Sequence, residues 1–450
     1  MDNIIRCYIF DFIHFSNPTE EQVDVLKSLE TFVQRDNQYD FFVLKGQAGT
    51  GKTSITSALV GYLNEIETGY KIAAPTGRAA RILNRKTKSV TSTIHSMIFN
   101  PKNNQDTGTI EWRLKTSNNI KPIIFIIDES SMIPLKSDNE SKLFISDEGL
   151  LVNLITYIKK GNVNNKVVFL GDVYQLPPIG EETPFALDKE FIEKRFNLKG
   201  LTFSLNEVKR QEDGSYILEN ATNIRKAIDL NQRNHPIDGN TNTNIYSARD
   251  RYIKNIDSNG LENSIVIGVS NKANRLFNDL TRERIFGFSK KILEKGDLLM
   301  VVQNWNRNGV SLYNGDHVEL IEVDWNIQEK IANLHYVPIK VKLLFSEKEV
   351  IIEDYLNLES IISLGGQLNP IDEKEVRKER YIKNKIFRES NLPSDDRYVG
   401  ALKLTYGHAI TCNKAQGGEW KKVFINTWGI PNLKWQYTAV TRAIDEIEKF

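Results

Sequence analysis

Short, continuously apolar runs alternate with helical patterns over the first 200 residues. Residues 41–44, 71–74, 123–127 and 166–170 are compact β-type runs, each followed by a polar or glycine turn. Helical patterns over residues 53–63, 77–84 and 150–159 lie between them. Strands that are apolar throughout and separated by helices predict a parallel sheet covered on both faces. Ligands of such sheets bind beyond the carboxyl ends of the strands. The pattern breaks between Ser96 and Pro122, where NPKNNQDTG is flanked by β-like pieces at 97–99 and 109–114. This stretch predicts an inserted β-hairpin.

A second α/β pattern opens at residues 265–269, with a helix expected from Asn271. From residue 296 to about 342 the chain turns β-rich: DLLMVV, then a YNGD turn, then HVELIEV and IKVKLLF. Short strands with turn signals predict a small barrel. Residues 371–388 are dense in Lys, Arg and Glu and predict a solvated helix. Residues 401–450 return to strand, turn, strand and helix, so the barrel is expected to be inserted within the second α/β domain. The expected division is 1–210 with a hairpin at about 97–121, then 211–295, an insert at 296–400, and 401–450.

Composition narrows the classes. The chain has 450 residues, 40% hydrophobic and 26% charged. Those values exclude wholesale disorder and collagen-like repeats. Lys+Arg 59 against Asp+Glu 58 leaves a net charge of +1. Any basic surface is therefore local. Cys7 and Cys412 cannot build a disulfide framework or a zinc site. No apolar run approaches the roughly 18–20 residues of a membrane span. The first residues, MDNIIRCYIFDFIHF, are interrupted by Asp11 and His14 and lack a signal peptide's basic start and cleavage site. A soluble cytoplasmic protein without a membrane partner is expected.

Gly46-Gln47-Ala48-Gly49-Thr50-Gly51-Lys52-Thr53 fits G-x4-G-K-[ST] and stands between an apolar run and a helical pattern. Its glycines let backbone N–H groups wrap phosphates, and the helix N-terminus adds partial positive charge. Lys52 would reach the β- and γ-phosphates and the Thr53 hydroxyl would bind Mg²⁺. The run 123–127 ends in Asp128-Glu129, which places Asp128 on Mg²⁺ and Glu129 beside the attacking water. ATP and Mg²⁺ are thus the expected ligands.

A phosphate loop alone leaves a nucleotide switch, a small-molecule kinase and a motor open. The guanine-reading Asn-Lys-x-Asp pattern is absent: Asn271-Lys272-Ala273-Asn274 and Asn413-Lys414-Ala415-Gln416 lack the aspartate. A small-metabolite kinase seldom needs a second α/β domain with an inserted barrel. The motor reading needs later residues that sense the γ-phosphate. Gln175 in Gly171-Asp172-Val173-Tyr174-Gln175-Leu176-Pro177-Pro178, Arg210 before Gln211, and Arg442 in Tyr437–Ala443 are candidates. For either arginine alone, a surface ion pair is the simpler reading.

Together these motifs resemble superfamily 1B DNA helicases, the branch of the RecD and phage Dda enzymes, in order along nearly the whole chain. Gln22 in Thr19-Glu20-Glu21-Gln22 looks like the adenine-reading Q motif. Ala74 to Ala80, with Pro75, Thr76, Gly77 and Arg78, resembles motif Ia, and Ser92-Thr93-Ile94-His95-Ser96 the next DNA-contacting motif. Asp128 to Met132 matches motif II, Gly171 to Pro178 motif III and Val208 to Gln211 motif IV. Thr411 to Gly417 looks like motif V, and Tyr437 to Ala443 like motif VI. The family's motif V usually carries His where Asn413 stands, so a cationic ring is replaced by an amide that still donates and accepts. The compact length is most like the Dda-type members.

The resemblance implies two RecA-like phosphate-loop domains with parallel sheets, a β-hairpin insert in the first and a small SH3-like β-barrel insert in the second. It implies an ATP-dependent, 5′-to-3′ helicase, monomeric, acting on single-stranded and forked DNA beside replication or recombination proteins. Lys52, Glu129, Gln175, Arg210 and Arg442 would be catalytic. Gln22 and Gly46 to Thr53 would bind nucleotide, with Thr53 and Asp128 on the metal. Pro75, Thr76, Gly77, Arg78, His95, Thr411 and Lys414 would touch DNA. The wedge that splits the duplex would be Trp112, with Phe99 second. Packing of Trp112 onto its own domain is the competing reading. A translocating ATPase that does not unwind, or the motor subunit of a nuclease complex, are the alternatives.

Overall fold

The computed structural model describes residues 8–14, 17–34, 37–103, 110–117, 119–137, 144–145, 148–207, 216–346 and 348–450. The chain divides into two compact units, with the main boundary between Ser215 and Tyr216.

The chain up to that boundary forms α1 (Glu20–Val33), β1 (Phe41–Gly46), α2 (Lys52–Glu65), β2 (Tyr70–Ala74), α3 (Gly77–Thr87), β3 (Thr91–Thr93), α4 (Ile94–Ile98), β4 (Phe99–Asn103), β5 (Ile110–Leu114), β6 (Ile124–Ile127), β7 (Phe144–Ile145), α5 (Leu150–Gly161), β8 (Lys166–Gly171), α6 (Lys189–Phe196) and β9 (Gly200–Leu205). Its main sheet runs β3-β2-β6-β8-β1-β9 and every pairing is parallel. Successive residues of a strand face opposite sides. Phe42 and Leu44 of β1 therefore pack with Leu29, Phe32, Ile55 and Leu59 of α1 and α2. Phe41 and Val43 pack with Leu151, Leu154 and Ile158 of α5 on the other face. Burial on both faces explains why these strands read as continuous apolar runs.

Two local expectations are corrected. Residues 97 and 98 belong to α4, not to a strand, because Thr93 caps that helix by accepting the Ser96 N–H at 3.1 Å. The hairpin's strands belong to a three-stranded sheet, β4-β5-β7, in which Ile110 and Glu111 pair in parallel with Phe144 and Ile145. The hairpin tip, 104–109, lies outside the described residues.

The second unit carries α7 (Tyr216–Asp229), β10 (Asn240–Thr241), α8 (Ile245–Asn259), β11 (Ser264–Gly268), α9 (Asn271–Phe286), β12 (Leu298–Val301), β13 (Trp305–Arg307), β14 (Val310–Leu312), β15 (His317–Val323), β16 (Glu329–Ile331), β17 (Leu334–Leu343), β18 (Ile351–Asn357), α10 (Leu358–Ile362), α11 (Pro370–Lys383), α12 (Lys385–Ser390), β19 (Leu404–Tyr406), β20 (Ala409–Thr411), α13 (Cys412–Ala415), β21 (Trp420–Ile425), α14 (Leu433–Val440) and β22 (Ala443–Lys449). A parallel sheet runs β10-β22-β21-β11-β20. An antiparallel sheet runs β16-β17-β15-β12-β19, with β18 on β17. It draws on residues 404–406, beyond the expected end of the insert.

The charge-dense stretch is not a wholly solvated helix. It forms α11 and α12, and Val376 and Phe387 are buried against Ile331, Leu334, Tyr336 and Tyr398. Arg377 is itself buried and Arg380 pairs with the buried Asp396 at 2.8 Å, so charge in this stretch does not mark solvent.

One buried ion pair ties α9 to the antiparallel sheet of this unit. Arg282 of α9 donates to both carboxylate oxygens of Asp297, at 2.6 and 3.0 Å, beside the start of β12. It also donates to the Tyr406 hydroxyl of β19 at 2.9 Å and lies 4.2 Å over that ring. Removing one partner of such a pair strands the other charge in the core. Asp297→Ala is expected to lower the unfolding free energy by about 3–5 kcal/mol in a urea titration, with the apolar pair Arg282→Met/Asp297→Leu recovering most of it.

Candidate functional site

The phosphate loop leaves β1, which lies between β8 and β9, and enters α2. Gly49 and Gly51 have φ of 82° and 89°, the left-handed region that glycine adopts without penalty. Gly51 is the N-cap of α2, so Lys52 and Thr53 open the helix with their N–H groups free for an anion. The Lys52 ammonium donates to the carbonyls of Gly46 at 2.5 Å and Gln47 at 2.9 Å, folded back over its own loop. The buried Thr50 hydroxyl donates to the Gln47 carbonyl at 2.9 Å.

The first turn of α1 holds this loop from the side. Gln22 is buried, accepts the Thr19 N–H at 3.0 Å and donates to the Thr50 carbonyl at 3.0 Å. Glu21 accepts the Asn206 N–H at 2.6 Å, and the Asn206 carbonyl accepts from the Gln47 side chain at 3.0 Å. Burial pulls the Glu21 carboxyl up, but the Asn206 and Glu207 amides outweigh it and hold it below the usual carboxylate range. Sequence reasoning missed Glu21 and Asn206. The T-x-x-Q capping box at 19–22 was the available signal.

β6 delivers the two carboxylates. Asp128 accepts the Glu129 N–H at 2.9 Å. Burial raises the Asp128 pKa, and the Glu129 amide, Lys52 and Lys86 partly offset this. Such a carboxylate fits a cation ligand. Glu129 sits at φ 50°, a conformation that costs a non-glycine residue energy. Beyond β8, the Gln175 side chain is 3% exposed, and its Oε1 has no hydrogen-bond partner among the described residues. It is an acceptor held in readiness. Gly171 permits the close approach here: a Cβ on it would lie 3.0 Å from the Ser131 backbone nitrogen.

The strand-contact candidates divide between the units. Pro75 to Arg78 follow β2, and Thr76 caps α3 by accepting the Ala79 N–H at 3.2 Å. Gly77 and Arg78 are buried, whereas Arg85, Lys86 and Lys88 further along are exposed. His95 is half-buried, and burial lowers its pKa. Its ring lies 5.8 Å from both Phe99 and Trp112, which are 5.9 Å from each other. Phe99 is 4% exposed within the core, a position that anchors the hairpin and does not suit a wedge. Trp112 is half-buried against the same core. In the second unit Thr411 stands at the N-cap position of α13 without a side-chain cap bond, and the Lys414 ammonium donates to the Gly365 carbonyl at 2.9 Å. Burial lowers the Lys414 pKa. Arg442 is buried and donates to Thr438, Gly418 and Thr441 of its own unit. Arg210 lies outside the described residues. Among the described residues no helix is long and apolar enough to cross a membrane.

A family model described as AAA domain matches residues 30–181, and one described as UvrD-like helicase C-terminal domain matches residues 406–446. The ATP-dependent DNA helicase dda of Enterobacteria phage T4 is 25% identical over 334 residues, 69% of either chain. The ATP-dependent RecD2 DNA helicase of Deinococcus radiodurans is 27% identical over 170 residues, 37% of this chain and 19% of that protein. An uncharacterized Methanocaldococcus jannaschii protein is 31% identical over 161 residues, 34% of this chain. The chain spans only 12% of that protein's length. The crystal structure of Pif1 helicase from Candida albicans shares the fold, with a TM-score of 0.51 at 16% identity over 97% of this chain and 94% of that one.

The left-handed backbone at Glu129 makes a stability prediction. Glu129→Gly removes the carboxylate and relieves the strain, so the protein should gain about 1 kcal/mol against urea. A loss of stability would show that the conformation carries no strain.

Proposed function

We propose that the chain is a superfamily 1B helicase, an ATP-dependent DNA helicase that moves 5′ to 3′ on single-stranded DNA and unwinds forked duplex, a reading supported by its family matches and its helicase relatives. The observation that carries the reading is the assembly at one edge of the first sheet. There the phosphate loop, the Asp128–Glu129 pair and the open Gln175 acceptor follow β1, β6 and β8, which are adjacent in the sheet. Lys52 would leave its carbonyls for the β- and γ-phosphates. Glu129 would take the proton of the attacking water, and Gln175 Oε1 would orient that water. Thr53 and Asp128 would hold Mg²⁺, which supplies charge neutralisation on the phosphates.

DNA would meet phosphate contacts on both units: Thr76, Gly77, Arg78 and His95 on the first, Thr411 and Lys414 on the second. The hairpin insert and an SH3-like barrel insert complete this reading. A second reading, a translocating ATPase that does not unwind, draws on one observation: Trp112 packs, tilted, against His95 and Phe99 of its own unit.

The decisive measurement is steady-state ATP hydrolysis with and without single-stranded DNA. Stimulation by DNA is expected, and Lys52→Ala should remove turnover by at least about 100-fold. Turnover indifferent to DNA would reject the motor. Forks with 5′ or 3′ tails then test polarity. Trp112→Ala is expected to cut unwinding while sparing DNA-stimulated hydrolysis; equal loss of both assigns the ring to packing.

A further inference from the structure

We infer that the outward stripe of α11 is a two-fold contact between two copies of this chain, in which the two α11 helices pair antiparallel. The surface lies in the second unit and owes nothing to the reading of the nucleotide site.

α11 turns Val376 inward against Ile331, Leu334 and Tyr336 and buries Arg377 as well. A helix that rides on a core is polar on its opposite side. Here that side carries Ile371 and Ile382, which are 65% and 74% exposed. Glu375 and Lys378 stand exposed between them. The order Ile371, Glu375, Lys378, Ile382, with steps of four, three and four residues, is the spacing of a coiled-coil seam. The helix start is fixed in advance. Asn369 caps it by accepting the Ile371 N–H at 3.0 Å, and Pro370 opens the first turn.

The seam is a palindrome. About a point between Val376 and Arg377, Ile371 mirrors Ile382 and Glu375 mirrors Lys378. A two-fold axis through that point, with the helices antiparallel, sets Ile371 against Ile382 of a second copy and Glu375 against its Lys378. Each contact is then made twice. A parallel pairing in register would set Glu375 on Glu375 and Lys378 on Lys378, so the charges select the antiparallel one. Both charges are available. Glu375 accepts from Asn333 at 3.0 Å through one oxygen, and Lys378 has no hydrogen-bond or ion-pair partner among the described residues. Exposed Leu364 and Ile386 flank the two ends of α11, and the same axis brings one toward the other.

A helix of 14 residues offers about 21 Å of seam, less than a stable dimer needs, so the pairing is weak. The chain stays the expected monomer in dilute solution. Sedimentation equilibrium of the full chain up to about 1 mM should find half of it dimeric at roughly 0.1 mM. Glu375→Lys and Lys378→Glu each set like charges across the axis, and each alone should raise the dissociation constant at least about tenfold. An equimolar mixture of these two variants should dimerise as the wild type does, because each copy with two lysines then faces a copy with two glutamates. Ile371→Asp/Ile382→Asp should remove the dimer. All four positions are exposed, and thermal melting checks that each variant remains folded. A wild-type chain that is monomeric throughout, a dimer indifferent to the single variants, or a mixture that fails to recover would each overturn the inference. In the first case, loss of fork unwinding in Ile371→Asp/Ile382→Asp would give the stripe to another occupant, the chain's own hairpin or nucleic acid.

Discussion

A loop that binds anions through backbone N–H groups works only if those groups stay aimed when no anion is present. Left alone, eight residues with three glycines would wander, because glycine loses more conformational freedom on ordering than any other residue. Here the wandering is stopped from three directions. The Thr50 hydroxyl closes the loop on Gln47 from within. Lys52 gathers the Gly46 and Gln47 carbonyls. The first turn of α1 holds Thr50 through Gln22 and Gln47 through Glu21 and Asn206. The remaining features of the site assume a loop already in place.

Strand order explains how motifs far apart in sequence share one edge. The sheet places β6, β8 and β1 side by side, so three strand ends open on the same edge. Glycines at the ends of β1 and β8 allow the turns to close up, with Gly46 against Thr50 and Leu205 and Gly171 against Leu187 and Ser131. The cost of assembling the site is visible locally. Glu129 holds a left-handed backbone, Asp128 is a half-buried carboxylate whose pKa is shifted upward, and Gln175 keeps an unfilled acceptor. Each is unfavourable without a ligand and is sustained by the packed sheet beneath it.

The second unit solves a different problem, that of keeping an antiparallel sheet rigid on a parallel one. The Arg282–Asp297–Tyr406 cluster joins α9 to the antiparallel sheet through charge-assisted bonds in a dry setting. The functional candidates of this unit, Lys414 and Arg442, are turned into their own backbone by hydrogen bonds to carbonyls. Gly365, whose carbonyl receives Lys414, sits at φ 70° and packs on Asn271, so the turn depends on having no side chain.

The sequence by itself determined the parallel sheet of the first unit, because strands buried on both faces must be apolar throughout. It determined the phosphate loop and the carboxylates after β6, because few residue types can do that chemistry at that spacing. The second α/β pattern was legible in the same way. Only the tertiary structure decided the rest. Residues 97 and 98 read as β but became helix once Thr93 capped them. The charge-dense stretch of α11 and α12 hid Val376 and Phe387, because two buried apolar positions among so many charges vanish in composition. Phe99, legible as an aromatic, proved to be core, since exposure is a property of neighbours and not of residue type. Gln22 was legible as an amide before a phosphate loop. That its amide donates to the Thr50 carbonyl follows from a contact 28 residues away, which no local pattern contains.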